Sequence, residues 1–342
     1  MYMADTSRRK IILPVLFFIL LIVGLLFWFA EEWMRYLLLY LSSASWARQL
    51  VSGLPVADRV ARRFVAGENM DDAVAATREL NSKGMLVTLD YLGESVTNTY
   101  EAMDARDEIL RLLVRIDQEK LDANVSVKLS QLGLKLDEQL ALDNVRLLVE
   151  RAQSHNNKIR IDMEESTVVD TTLDIYHALR YHYGFDNVGV VIQSYLHRSV
   201  EDVQELIAEG AWVRLCKGAY MEPPEVAFSD KADTDSNYVD LIHMLLGEEA
   251  RERGVYLGIA THDEEIIQAS LDFVKNNSIA PDQFEFQMLY GVRRDLQDSL
   301  VDEGYQMRVY VPYGTAWYPY FVRRLAERPA NLWFFISNFL RR

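Results

Sequence analysis

Arg323 and Arg324 stand side by side near the C-terminal end of this 342-residue chain. Two adjacent guanidinium groups make a fork suited to a small carboxylate. Tyr320 comes one turn earlier and Glu327 one turn later, so on a helix the four share one polar stripe, with Tyr320 as a flat wall beside the fork. The plain alternative is a solvated helix face in which Arg323 and Glu327 form an ordinary pair. The stretch Tyr310 to Asn331 has the order strand, turn, helix: the apolar run Met307 to Val311 stops at Pro312 and Gly314, and a helix beginning near Trp317 is stopped by Pro329.

A second candidate is Lys128, which sits in an apolar run where a charge is costly without a carboxylate nearby. Asp162, at the end of the next apolar run, is the natural partner. Three readings of Lys128 stay open: a structural ion pair, a functional one, or a Schiff-base nucleophile for a carbonyl compound.

Eight short apolar runs are available to position these groups: Met85 to Leu92, Val125 to Leu132, Ile159 to Glu164, Val188 to Tyr195, Trp212 to Cys216, Tyr256 to Thr261, Phe284 to Leu289 and Met307 to Val311. Helical patterns separate them at Ala102 to Ile116, Asp143 to Ala152, Asp170 to Arg180, Val203 to Ile207, Tyr238 to Glu249, Ile266 to Val274 and Arg294 to Val301. The alternation predicts an α/β fold, a (β/α)8 TIM-type barrel, with a doubly wound open sheet as the other possibility. Sites in such barrels collect where the strands end. Polar residues do stand at the run ends: Asp90, Lys128, Asp162 with Met163, Gln193, Arg214 with Lys217-Gly218-Ala219, Thr261 with His262, and Gln287 beside Leu289.

Composition narrows the class. A net charge of -15 opposes binding to a phosphate backbone, so no nucleic-acid partner is expected. The single cysteine, Cys216, excludes an internal disulfide and a cysteine-cluster metal site. The histidines share no ligand spacing, and no metal is expected. There is no G-x-G-x-x-G fingerprint; Lys217-Gly218-Ala219 is a weak alternative, a small-residue turn with a cation for phosphate oxygens.

The N-terminus departs from globular composition. Ile11 to Ala30 carries no charge over twenty residues, enough for a helix of about 30 Å, and predicts one membrane span with Trp28 and Trp33 near an interface. Arg8, Arg9 and Lys10 before it favour export of the body, whereas the chemistry suits the cytoplasmic side of the plasma (inner) membrane. Met34 to Leu54 reads as an amphipathic helix and Ala57 to Leu80 as two short helices broken at Gly67. The expected organisation is therefore a tail and transmembrane helix over 1–32, a helical segment over 33–83 and a barrel with a C-terminal helix over 84–342.

Val213-Arg-Leu-Cys-Lys-Gly-Ala-Tyr220, Ala260-Thr-His-Asp263, Phe284-Glu-Phe-Gln-Met-Leu-Tyr-Gly291 and Tyr310 to Asn331 together resemble the proline dehydrogenase family, especially its bacterial single-function members. The similarity runs from about Trp46 to the C-terminus, leaving Ile11 to Ala30 outside it. It implies a distorted (β/α)8 barrel that binds FAD and oxidises L-proline to Δ1-pyrroline-5-carboxylate. Hydride passes to the flavin N5 and electrons go on to a membrane quinone. By the same resemblance Arg323, Arg324 and Lys128 hold the substrate carboxylate, Asp162 keeps Lys128 charged, and Arg214 lies by the flavin N5. Tyr310, Tyr320 and Leu289 form the walls, with Asp162, Arg214 and Tyr310 as the catalytic set. Met163, Gln193, Lys217, Gly218, Ala219, Thr261 and His262 touch the flavin with Glu327 nearby. Glu222, on the long loop Met221 to Asn237, occupies the place of a gate that pairs with the second arginine. A Schiff-base enzyme using Lys128 and a membrane-anchored binding barrel are the alternatives.

Overall fold

Alternate residues along each apolar run face opposite ways, and here both faces are buried for different reasons. The computed structural model describes residue 40 and residues 62–93 and 96–327, with residues 323–327 as backbone helix only. Its strands are β1 (Leu86–Tyr91), β2 (Ala123–Val127), β3 (Ile159–Ile161), β4 (Val188–Gln193), β5 (Trp212–Cys216), β6 (Tyr256–Ala260), β7 (Phe284–Leu289) and β8 (Met307–Tyr313). Each pairs in parallel with the next, and β8 closes on β1, so the sheet is a complete eight-stranded barrel rather than an open doubly wound sheet.

One face of each strand supplies apolar side chains to the layer under the helices: Val87 and Leu89, Val125 and Val127, Val213 and Leu215, and Val309 and Val311 are all fully buried. The other face points along the barrel axis and is polar. Thr88, Asp90, Asn124, Ser126, Arg160, Asp162, Arg214, Glu285 and Gln287 are all buried there. Barrel interiors are ordinarily packed with branched apolar side chains. An interior of charges must instead be internally paired, because an isolated buried ion costs several kcal/mol, on the order of the whole stability of a domain. Arg160 meets this only in part: it is fully buried, its guanidinium lies 3.6 Å over the Trp212 ring, and its Nη1 donates to the carbonyls of Val190 (3.1 Å) and Trp212 (3.0 Å), while its Nε and Nη2 have no hydrogen-bond partner among the described residues.

The helices are α1 (Met70–Asn81), α2 (Thr99–Gln118), α3 (Glu138–Ser154), α4 (Val169–His177), α5 (Ser199–Ala208), α6 (Lys231–Leu245), α7 (Glu248–Glu252), α8 (Glu264–Asn276), α9 (Arg294–Asp302) and α10 (Trp317–Glu327). Asn69, Asn98 and Asp137 cap the first three by accepting a backbone N–H of the first turn.

Several expected boundaries move. Lys128 stands just past β2 rather than inside it, and β3 stops at Ile161, leaving Asp162 at the strand exit. The helix expected over Asp170 to Arg180 is α4 followed by a π-helical turn, Ala178–His182. The one expected over Tyr238 to Glu249 is two helices, interrupted at Gly247, and the first already begins at Lys231, which shortens the loop after β5. Of Ala57 to Leu80, residues 57–61 lie outside the described part and the remainder forms turns and then α1.

The membrane-spanning expectation is corrected. No helix among the described residues is long and apolar enough to cross a membrane. The longest, α2, has 20 residues but carries Glu101, Asp104, Arg106, Asp107, Glu108, Arg111, Arg115 and Asp117, charges that an apolar span could not bury. Ile11 to Ala30 and Met34 to Leu54 lie outside the described residues, save Tyr40. The single-pass placement at the inner membrane, with the catalytic domain on its cytoplasmic side, falls with the span.

The chain divides into two compact units, Arg62–Trp317 and Met1–Ala61 with Tyr318–Arg342. The first holds the whole barrel. Of the second, the described part is Tyr40 and the turns of α10 from Tyr318 onward, where Tyr318, Tyr320, Phe321 and Val322 are buried.

Candidate active site

At the C-terminal ends of β1, β2, β3 and β8 four side chains meet. Lys128 Nζ lies 3.0 Å from Asp90 Oδ2, 3.3 Å from Asp162 Oδ2 and 3.3 Å from the Tyr310 hydroxyl. Tyr310 donates to Asp162 Oδ2 at 2.8 Å. The other oxygen of Asp162 accepts from Arg214 Nη1 at 2.7 Å and from Ser126 Oγ at 2.9 Å. Asp162 is thus the shared anion of two cations and two hydroxyls, with only 12% of its side chain exposed and 7% of that of Arg214.

Burial alone would push Asp162 up, but the Lys128 and Arg214 charges outweigh it and hold the carboxyl below the ordinary range. Asp90 goes the other way: burial dominates, Lys128 opposes it, the neighbouring Asp162 charge adds to it, and the carboxyl is raised. Burial first, then the Asp162 and Asp90 charges, lifts the Tyr310 phenol well above its usual value, so it remains a donor. A cation therefore stands beside a phenol that keeps its proton, with the Lys128 side chain 14% exposed.

Arg214 is gripped from its far side as well. Its Nε donates to Gln287 Oε1 at 2.5 Å, Gln287 Nε2 donates to Glu285 Oε1 at 2.5 Å, and Glu285 takes a 2.7 Å bond from Arg308 Nε.

Other predicted residues cluster around this mouth. Gln193 is 2% exposed, its Nε2 reaches the Met163 carbonyl at 3.4 Å, and its Oε1 is buried without a hydrogen-bond partner among the described residues. His262 Nε2 accepts the backbone N–H of Leu289 at 2.9 Å, and Thr261 Oγ1 that of Asp263 at 3.1 Å. Lys217 is committed to Asp235 (2.5 Å) and Asp263 (2.7 Å), which also hold Lys231. Gly218 next to it has φ +112° and abuts the Tyr195 ring, before Ala219. The Glu222 carboxylate is occupied by Ser166, taking its backbone N–H at 2.7 Å and its hydroxyl at 2.5 Å. Tyr320, Arg323, Arg324 and Glu327 lie on α10, the last three with side chains outside the described residues.

Sequence reasoning gave no role to Asp90 and Gln287 and passed over Ser126 and Glu285. Asp90 and Gln287 were visible as polar strand ends. Ser126 and Glu285 are recognisable only once the inward face of each strand is known.

A closed parallel barrel whose strand ends hold a buried carboxylate between two cations defines a (β/α)8 enzyme. The family model described as proline dehydrogenase matches residues 73–336. Proline dehydrogenase 1 of Bacillus subtilis strain 168 is 42% identical over 282 residues, covering 82% of this chain and 91% of that protein. Proline dehydrogenase of Deinococcus radiodurans is 42% identical over 285 residues, covering 82% and 90%. Among solved structures, proline utilization A (PutA) from Bdellovibrio bacteriovorus, inactivated by N-propargylglycine, superposes with a TM-score of 0.73 at 28% identity, over 79% of this chain and 32% of the PutA chain. The chain spans about a third of that larger protein. It belongs to the proline dehydrogenase family.

Proposed function

We propose that this chain oxidises L-proline to Δ1-pyrroline-5-carboxylate, with bound FAD as the first electron acceptor and a quinone as the second. The observation that carries this reading is the buried set of Lys128, Asp162, Tyr310 and Arg214, on a chain whose 42%-identical relatives are proline dehydrogenases. Proline is a small zwitterion: its carboxylate needs concentrated positive charge and its ring a close apolar wall. Lys128 supplies charge, and Tyr310 and Leu289 supply wall. Arg323, Arg324 and Tyr320 are assigned the rest on sequence grounds.

The donor set supports a flavin. The unsatisfied Gln193 Oε1 is an acceptor that a ring N–H can fill, since a buried amide oxygen left unpaired is costly. Arg214 offers the fixed positive charge that favours an electron-rich reduced ring. Met163, Gly218, Ala219, Thr261 and His262 are the remaining proposed contacts, with Glu327 on α10 and Lys217 through its ion-pair cluster. When bound, FAD supplies the two-electron acceptor that no side chain of this chain can be. Asp162 pairs with Lys128 and Arg214 and holds them in place, and Tyr310 holds its proton against Asp162. Glu222 serves as the proposed gate, its carboxylate parked on Ser166 here.

The two carboxylates on Lys128 disfavour the Schiff-base alternative, because they stabilise the ammonium over the neutral amine needed for attack. The purified chain should carry flavin absorbance that bleaches with L-proline under anaerobic conditions. A chain that cannot be loaded with FAD, or a flavin indifferent to proline, removes the proposal.

A further inference from the structure

We infer that Gln287, seated in the space that Gly258 leaves open, is a positioning residue that fixes the Arg214 guanidinium at the reaction centre; this rests on the reading of Arg214 given above. Arg214 is clamped between two sides of the barrel. From β2 and β3, Ser126 Oγ (3.0 Å) and Asp162 Oδ1 (2.7 Å) take Nη1. From β7, Gln287 Oε1 takes Nε at 2.5 Å. Without the second grip the guanidinium can swing about its bond to Asp162, since one ion pair fixes a distance but not an orientation.

The amide of Gln287 can make that bond only one way round. If it flipped, its NH2 would face the Arg214 N–H, donor against donor. Glu285 settles the orientation: it takes the Gln287 NH2 at 2.5 Å and is itself fully buried and paired with Arg308 Nε at 2.7 Å. The row therefore runs in a single direction, with a cation at each end, a carboxylate beside one and an amide joining them. Burial would raise Glu285, but the Arg308 charge outweighs it and keeps the carboxyl below its usual range, so it remains an acceptor.

Room for this row comes from β6. Gly258 is the register partner of both Arg214 and Glu285. A Cβ on Gly258 would stand 2.3 Å from Gln287 Nε2 and 2.8 Å from its Cδ, well inside contact distance. Any side chain at 258 must displace the amide that holds Arg214, although residue 258 has no polar group of its own. Chemistry and steric space thus point to the same atom from two strands.

The test compares Gly258→Ala, Gln287→Ala, their double variant and Arg214→Met with the unaltered flavin-loaded enzyme. Gly258→Ala and Gln287→Ala should each slow flavin reduction at saturating L-proline by about tenfold or more, with KM changed less than about threefold, because orientation toward the reacting centre is lost and carboxylate binding is not. Both should make the flavin midpoint potential more negative. The double variant should be no slower than Gln287→Ala, since Gly258→Ala acts only through that side chain. A crystal structure of flavin-free Gly258→Ala should show Arg214 Nε parted from Gln287. If Arg214→Met lowers rate and potential while the other two variants leave both unchanged, the positioning role is overturned and the reading of Arg214 stands. If Arg214→Met changes neither, that underlying reading fails and takes this inference with it.

Discussion

Tyr310 donates its phenolic proton to Asp162 Oδ2 at 2.8 Å, and the same oxygen receives the Lys128 ammonium at 3.3 Å. One carboxylate therefore orders a wall residue and a substrate cation together, and a change in either is felt by both.

Tyr310→Phe keeps the ring but removes that bond. A hydrogen bond to a charged group is worth about 1.5–3 kcal/mol, so kcat/KM for proline should fall about 10- to 100-fold. Steady-state oxidation of L-proline with an artificial electron acceptor reads it, and an unchanged value would show that the phenol does not act through Asp162.

Asp162→Ala strips the shared anion from Lys128 and Arg214 while both remain largely buried. Lys128 keeps Asp90 at 3.0 Å, but Arg214 loses the carboxylate it is paired with, and leaving a buried charge uncompensated typically costs about 3–5 kcal/mol. Urea unfolding should show a loss of that order, with much less from Ser126→Ala, which removes a neutral partner.

The barrel was legible because the strands are short, mostly apolar runs, several with a polar residue at or just past the end, and Trp212–Cys216 and Phe284–Leu289 form with the expected bounds. The polar axis was not. Arg160, Glu285 and Arg308 sit inside strands, and a charge within an apolar run reads as an edge or an exposed face until closure turns that face inward. The lysine–aspartate pair was expected from the cost of burying Lys128. Its second carboxylate, Asp90, was not, because the two residues are 38 apart in sequence and meet only through β1–β2 pairing. Glu222 bonds to Ser166, a contact no spacing rule suggests.

Gly218 has φ +112°, and a Cβ there would lie 2.2 Å from the Tyr195 ring. Gly218→Ala should cost about 1–3 kcal/mol through backbone strain and overpacking. It should also loosen the turn proposed to touch the flavin. Thermal melts read the first effect and the flavin-to-protein ratio after gel filtration the second; a variant with both unchanged would remove this turn from the cofactor site.

Asp263 provides a pH test. Burial would raise its carboxyl, but Lys217 and Lys231 outweigh this and bring it down to about 2. A carboxyl lowered on folding stabilises the protein above its unfolded value and loses that contribution as pH falls through the folded one. The melting-temperature gap between the unaltered chain and Asp263→Asn should be constant above about pH 5, where an unfolded aspartate is almost fully ionised. It should close between there and about 2. A gap that widens on acidification would contradict the pairing.

The central claim is that Lys128, held charged by Asp90 and Asp162, binds the substrate beside a flavin. Anaerobic stopped-flow reduction by L-proline, comparing the unaltered chain with Lys128→Ala, tests it most directly. The account predicts bleaching of the unaltered flavin, and an apparent proline Kd about tenfold or more higher in the variant, as expected for loss of a charge-assisted contact. A flavin that L-proline does not bleach, or an equal Kd in both proteins, would contradict it.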